Sequence, residues 1–512
     1  MMPLVDPTQA FIKEMLDGHI TAKYKADHNK SICAPGTRKD LLADIEKWLS
    51  PQPSNAELIF WVTGIPGSGK STLSATIVEN LRKNHTPVSA QYFISRNIPE
   101  TMDPNKIIPT IARQLAISSP IAARVLKKAL EDGYPATRAE QVTSLLLDPI
   151  RELSKSRDMV VILIDALDEL NDAADSAMEI LSRIAPIDSA CDLPNNIKFI
   201  ITSRPEHWTS ISGFNDALFK HHSLATKSSV TEVNNFVVAR MSEITPDGSE
   251  WHGWPNDDQL QMLFDKANGL FHYAATALRW IKEQIRKNGT ACQKTVFERF
   301  SEDGLDELNG LYELILTSWE DVYKPTKDNH ERATRLSGFQ HVMGTILMLR
   351  KPLLIKEIVE LLSDIPKDEF DVKLFLEQMR SVLIPGATPS SDDSATPQIH
   401  KSFRDYIMSE HAPREFRILT KGAHFMIARS CFHSIVKAES QRGNGNEYAV
   451  TNWHRHLHEA EARCDDERMW TLLSEMMNQG VVGVGTKTYW NWTHTFACVA
   501  STGWKLLKVR QK

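Results

Sequence analysis

No stretch of the 512-residue chain approaches the roughly 18 uncharged apolar residues of a membrane helix. The longest apolar runs, VVILI and VMGTILML, have the length of core elements. The opening MMPLVDPTQAFIKEML lacks a basic start followed by an apolar core, so it does not read as a signal peptide. Cysteine is sparse. Cys33, Cys191, Cys292, Cys431, Cys464 and Cys498 form no CxxC pair and read as reduced, packed thiols of a cytoplasmic protein. The Asn491-Trp492-Thr493 sequon then reads as incidental. Positive charge is not in excess either. The net charge is −6, and only Lys505, Lys508, Arg510 and Lys512 cluster, as a solvated tail, so no nucleic acid is expected among the partners. No repeat period is evident, which argues against a solenoid or propeller.

What is present is ordinary globular composition, 42% apolar and 24% charged, in a chain long enough for roughly three domains. Residues 1–34 are polar and weakly patterned, with room for one short helix. In PGTRKDLLADIEKWL, Leu41, Leu42, Ile45, Trp48 and Leu49 share one helical face, and PQPSN ends that helix. Short apolar runs then alternate with helical stretches. LIFWVTG, VSAQYFIS, MVVILID and IKFIITS read as strands; KSTLSATIVENLRK, KIIPTIARQLA and the segments near 121–130, 141–153 and 173–184 read as helices. Continuous apolar strands separated by helices predict a parallel sheet covered on both faces.

Beyond Thr226 the pattern is almost wholly helical. The polar PGATPSSDDSATPQ (385–398) before IHKSFRDYIM fits the wing of a small winged-helix domain. The expected organisation is an N-terminal segment (1–34), a strap helix (35–56), an α/β nucleotide-binding domain (57–225), a helical domain (226–325), a winged-helix-like domain (326–411) and a C-terminal helical region (412–512).

Gly64-Ile65-Pro66-Gly67-Ser68-Gly69-Lys70-Ser71-Thr72 fits G-x-x-x-x-G-K-[ST], the Walker A phosphate loop, and lies between a strand and a helix. Gly64, Gly67 and Gly69 let the backbone curl so that successive N–H groups face a phosphate, and the helix adds its positive end. Lys70 is expected to reach the β- and γ-phosphates and Ser71 to ligate Mg²⁺. ATP and GTP both remain open.

VVILIDALDEL ends an apolar strand on Asp165 and adds Asp168 and Glu169 almost at once. These carboxylates repel one another, and a bound cation and a polarised water would offset that repulsion. Asp165 reads as the Walker B ligand of Mg²⁺, directly or through water. Asp168 and Glu169 read as groups that orient an attacking water, with capping of a helix start as their plainer alternative. Arg204, directly after IKFIITS, reads as a cation for the γ-phosphate or as a surface arginine before a proline turn.

These pieces together resemble the NACHT family of STAND-class P-loop NTPases, in particular the fungal group with a nephrocystin-like nucleotide-binding domain. The resemblance covers about residues 30–460, on CAPGTRKDLLADIEKWL, GIPGSGKST, LIDALDEL, FIITSRPE, ANGLFHYAATALRWI and IHKSFRDYI. It implies that the Arg204 strand lies between the phosphate-loop and acidic strands, that Arg204 is a sensor, and that His400 contacts the β-phosphate of bound ADP. His400 as a hydrogen-bonded core histidine stays open. The resemblance also brings the Gly269-Leu270 turn towards the nucleotide and Thr37-Arg38 over its adenine side, or leaves that strap a plain linker.

The function implied is an ATP/ADP switch with slow Mg²⁺-dependent hydrolysis, self-association on activation and protein signalling partners, of the kind that triggers programmed cell death in fungi. Relatives usually carry an effector domain before the core and WD or ankyrin repeats after it. Neither pattern is evident here, so a sensor is expected to be lost, truncated or supplied by partners. Competing readings are an AAA-type motor or loader, a small-molecule kinase and a nucleotide-binding scaffold without hydrolysis. The kinase leaves the long helical half unexplained, and the scaffold leaves Lys70, Ser71, Asp165 and Glu169 without purpose.

Overall fold

The computed structural model describes residues 7–16, 32–50, 57–84, 88–156, 159–170, 173–185, 193–205, 216–224, 227–301, 308–322, 329–383, 396–440 and 446–461. The tip of the expected wing, the 491–493 sequon and the basic C-terminal cluster lie outside these residues, as do Cys191, Cys464 and Cys498. The chain divides into two compact units, Met1–Asp306 and Glu307–Lys512.

The first unit is built on a five-stranded sheet: β1 (Ile59–Thr63), β2 (Ala90–Phe93), β3 (Val160–Asp165), β4 (Ile197–Ser203) and β5 (Phe219–Ser223). Its order is β2-β3-β4-β1-β5, and every pairing is parallel. β1, β3 and β4 are buried throughout, as parallel strands covered on both faces must be. Alternation sorts their side chains into two cores. Ile59, Trp61, Ile162, Phe199 and Ile201 face one layer, which also contains α4 (Ile107–Ser118) and α5 (Pro120–Leu130). Phe60, Val62, Val161, Leu163 and Ile200 face α2 (Lys39–Leu49) and α3 (Lys70–Lys83). This is the parallel α/β sheet with helices on both faces that the sequence predicts.

Local chemistry explains the element boundaries. In α2, Leu41, Ile45, Trp48 and Leu49 are buried at helical spacing, one stripe against the sheet. α5 starts where the Ser119 side chain accepts from the Ile121 and Ala122 N–H groups, with Pro120 in the first turn. The outer edge of β2 is covered by one side chain: Gln114 on α4 donates to Gln91 O (2.8 Å) and accepts from Gln91 N (3.0 Å).

One element fits the short helix for which the N-terminus had room, and one departs from the sequence pattern. The weakly patterned N-terminus contains α1 (Pro7–Met15), whose Ile12, together with Leu16 just beyond it, is fully buried in the first core. β5, FKHHS, is partly exposed and has no apolar alternation; β1 recruits it by parallel pairing at the sheet edge.

The second unit is helical. Trp319 on the helix Leu308–Val322 packs edge-on against Phe375 and Phe416, and its indole donates to Gln378. An antiparallel bridge, Leu383 with Ile399, brackets the segment read as a wing. Among the described residues, no helix is long and apolar enough to cross a membrane.

A buried polar chain ties this unit together. The Arg350 N–H donates to Tyr448 OH (3.0 Å), Tyr448 OH bonds His456 Nε2 (2.7 Å), and His456 Nδ1 bonds His424 Nδ1 (2.8 Å). With the backbone N–H donating to the hydroxyl oxygen, the Tyr448 proton is free to go to Nε2, and His456 Nδ1 can then donate to His424. In that arrangement each bond holds one proton with both imidazoles neutral. Burial, with His424 and Arg350 close by, pushes His456 down to about 3, and burial lowers His424 as well. The unfolded chain therefore binds more protons than the folded one between that value and the ordinary 6.5. This stabilisation is complete above about pH 6.5 and is lost as pH falls, by up to about 1.4 kcal/mol per unit for each histidine in its window. The expected calorimetric result is a melting temperature that drops steadily from pH 7 to pH 5, with a shallower drop in His456→Gln.

Candidate nucleotide site

The site forms where β1, β3 and β4 end on the same side of the sheet. β1 runs directly into the phosphate loop, which curls through left-handed φ at Gly67 (83°) and Gly69 (93°) before α3 begins. These angles suit glycine. Gly64 is held by its N–H to Ser203 O (3.2 Å), and the Ser68 hydroxyl lies 2.3 Å from where a Gly64 Cβ would stand. Ile65 and Pro66 form the exposed tip, while Ser71 and Thr72 are half-buried in the first turn of α3. The Lys70 ammonium bends back over the loop to donate to Gly64 O (2.5 Å) and Ile65 O (3.3 Å).

The carbonyls turned outward are taken by donors from outside the sheet. Gly67 O accepts from the His272 N–H (3.1 Å), at the start of the helix Phe271–Asn288. Ser68 O accepts from Arg38 Nη2 (2.9 Å).

Asp165 ends β3 fully buried. Its Oδ1 accepts from Ser74 Oγ on α3 and from Thr202 Oγ1 on β4, both at 2.8 Å. Thr202 Oγ1 in turn accepts from the Ala166 N–H (2.8 Å). Ala166 stands at φ 60°, a left-handed turn that ends the strand and starts the short helix Leu167–Glu169. That turn separates the next two carboxylates. Asp168 faces β4, where Oδ1 accepts from the Arg204 N–H (3.2 Å) and Oδ2 pairs with Arg204 Nε (3.2 Å). Glu169 faces β2, where Oε2 accepts from the Arg96 N–H (3.2 Å).

The structure thus brings Gly64–Thr72, Asp165, Asp168, Glu169 and Arg204 to one end of the sheet, with the Arg204 strand between the loop strand and the acidic strand. His400 belongs to the second unit, where its Nδ1 caps the helix Lys401–Met408 by accepting from the Ser402 N–H (3.2 Å) and lies 2.7 Å from Ser402 Oγ. The sequence reading passed over Ser74, Thr202, Arg96 and His272. Thr202 left one signal, a polar residue near the end of an otherwise apolar strand; the others sit in patterns that any surface shares.

The residues fit a phosphate and a magnesium ion. Gly69 has nothing within 4 Å of a would-be Cβ, and a buried carboxylate, Asp165, is hydrogen-bonded to Ser74 on α3.

A family model described as Nephrocystin 3, N-terminal, matches residues 36–204. No curated protein matches the chain. Among solved structures, the chain is similar to the Aeropyrum pernix ORC1 protein in complex with DNA (12% identity, 73% of this chain and 92% of that one, TM-score 0.34). It is also similar to the Aeropyrum pernix ORC2 protein in its ADP form (13%, 79% and 98%, 0.33) and to Drosophila ORC bound to DNA (14%, 79% and 92%, 0.32). Likeness at this level assigns neither function nor partner.

The packing at Gly67 gives a direct test. An added Cβ would lie 2.9 Å from His272 Cβ at a left-handed φ, whereas at Gly69 only the φ is unfavourable. Gly67→Ala is expected to cost about 2–4 kcal/mol in denaturant melts and Gly69→Ala about 1–2. Equal losses would contradict the contact with His272.

Proposed function

We propose that this chain is a nucleotide-operated switch of the NACHT type, which binds ATP or ADP at its phosphate loop, hydrolyses ATP slowly and signals by changing conformation and self-associating. The observation that carries the reading is the strand order: β4 lies between β1 and β3, so Arg204, the phosphate loop and the acidic strand end share one edge. The family match over residues 36–204 supports it.

Each group has a task in this reading. The loop amides bind the β-phosphate, and Lys70 leaves the loop carbonyls for phosphate oxygens. Ser71 and Asp165 would hold Mg²⁺, which would supply neutralisation of the phosphate charge. Ser74 and Thr202 fix the Asp165 carboxylate through Oδ1. Glu169 accepts a proton from the attacking water. Asp168 grips Arg204 at two points and so aims its guanidinium, a division of labour between the two carboxylates that their opposite facing supports. His400 keeps, within this proposal, the ADP-latch role that the resemblance gives it. Slow hydrolysis resets the switch, because a ligand biases two states only as far as its affinities for them differ.

Isothermal titration of Lys70→Ala with ADP is expected to show binding weakened at least about a hundredfold, roughly 2.7 kcal/mol; unchanged binding would remove the loop from the site. Glu169→Gln is expected to keep ATP bound while single-turnover hydrolysis slows about a hundredfold or more. Full hydrolysis in that variant would move the base elsewhere.

A further inference from the structure

Arg38 is 5% exposed although it sits in the entry segment before α2. It is held from every side. Nη2 donates to Ser68 O in the phosphate loop (2.9 Å), its N–H donates to Glu232 Oε1 (2.9 Å), and Nη1 lies 3.6 Å from Glu232 Oε2. The guanidinium also lies over the Phe271 ring, 5.1 Å from its centroid. Its backbone is left-handed, φ 55°, which places the side chain under the loop at the cost of local strain. The entry segment is anchored nearby, where the Cys33 N–H donates to Thr76 Oγ1 on α3 (2.8 Å).

Glu232 belongs to the helix Lys227–Ile244, and Phe271 opens the helix Phe271–Asn288, whose His272 N–H takes the adjacent carbonyl, Gly67 O. Two consecutive loop carbonyls therefore bind two donors that are tied to the same pair of helices. Neither carbonyl can rotate without moving its donor or breaking its bond. Breaking the Arg38 bond leaves a buried guanidinium short of a partner, so movement is the less costly outcome.

We infer that Arg38 is a positioning residue that couples the shape of the phosphate loop, through Glu232, to the helix Lys227–Ile244, so that the ligand held in the loop is read by that helix. This rests on the nucleotide-switch reading above and adds its first mechanical link. Arginine suits the position because one end of its delocalised guanidinium donates to Ser68 O while the other lies within ion-pair distance of Glu232, whereas lysine offers a single point charge.

The test uses the full chain and Mg·ADP, with affinity by titration and backbone hydrogen exchange read separately over the loop and over 227–244. In the unsubstituted protein, ADP is expected to protect both segments. Glu232 is only partly buried, 20% exposed at the side chain, so its removal is expected to leave the fold intact. Glu232→Ala should keep ADP affinity within about threefold and protection of the loop, yet lose protection over 227–244; Glu232→Gln, which retains an acceptor for the Arg38 N–H, should recover part of it. Arg38→Lys should lose the same protection and weaken ADP about tenfold. Full protection of 227–244 in Glu232→Ala, or wild-type behaviour of Arg38→Lys, would overturn the coupling while leaving the nucleotide site intact. Absence of ADP binding by the unsubstituted chain would overturn both, and the titration shows that before any exchange is read.

Discussion

A loop that turns its N–H groups inward to face an anion has to place the carbonyls it turns outward. In this chain that requirement organises the surroundings of the site. Gly67 O and Ser68 O are taken by His272 and Arg38, and Gly64 N by Ser203 O. The loop is thereby tied to β4, to the segment before the sheet and to the helices after it. A loop held only by its own glycines would be free to relax; this one is held by residues from several parts of the first unit.

The acidic strand end follows the same logic from the opposite charge. Asp165 is fully buried, a position a carboxylate holds only when it is hydrogen-bonded, and both hydroxyls given to its Oδ1 come from neighbouring elements. The left-handed Ala166 then separates Asp168 from Glu169, sending one towards Arg204 and the other towards the end of β2. Adjacent residues of like charge end up with different partners.

The phosphate loop, Asp165 and four of the strands were legible in the sequence because their signals are local: a spacing, an apolar run, a charge at its end. β5 was not, since FKHHS has no pattern of its own and becomes a strand by pairing with β1. The helix Pro7–Met15 and Leu16 after it bury only Ile12 and Leu16, too few positions to stand out from a polar segment. Thr37-Arg38 carried no local sign of the contact that Arg38 makes with Glu232, 194 positions away. Ser74 and His272 each act through one hydrogen bond and Thr202 through two, and no spacing announces any of them. His400 is a half-buried helix cap within its own unit, a role that the sequence did not suggest beside the core histidine and the ligand contact it had left open.

The account turns on the identity and persistence of the nucleotide. The most direct measurement is to denature the purified protein and to identify and count what it releases by ion-exchange chromatography. The switch reading predicts close to one ADP per chain, retained through purification. A protein that releases none and turns over ATP rapidly and continuously would contradict it and would point to a motor or a conventional enzyme built on the same loop.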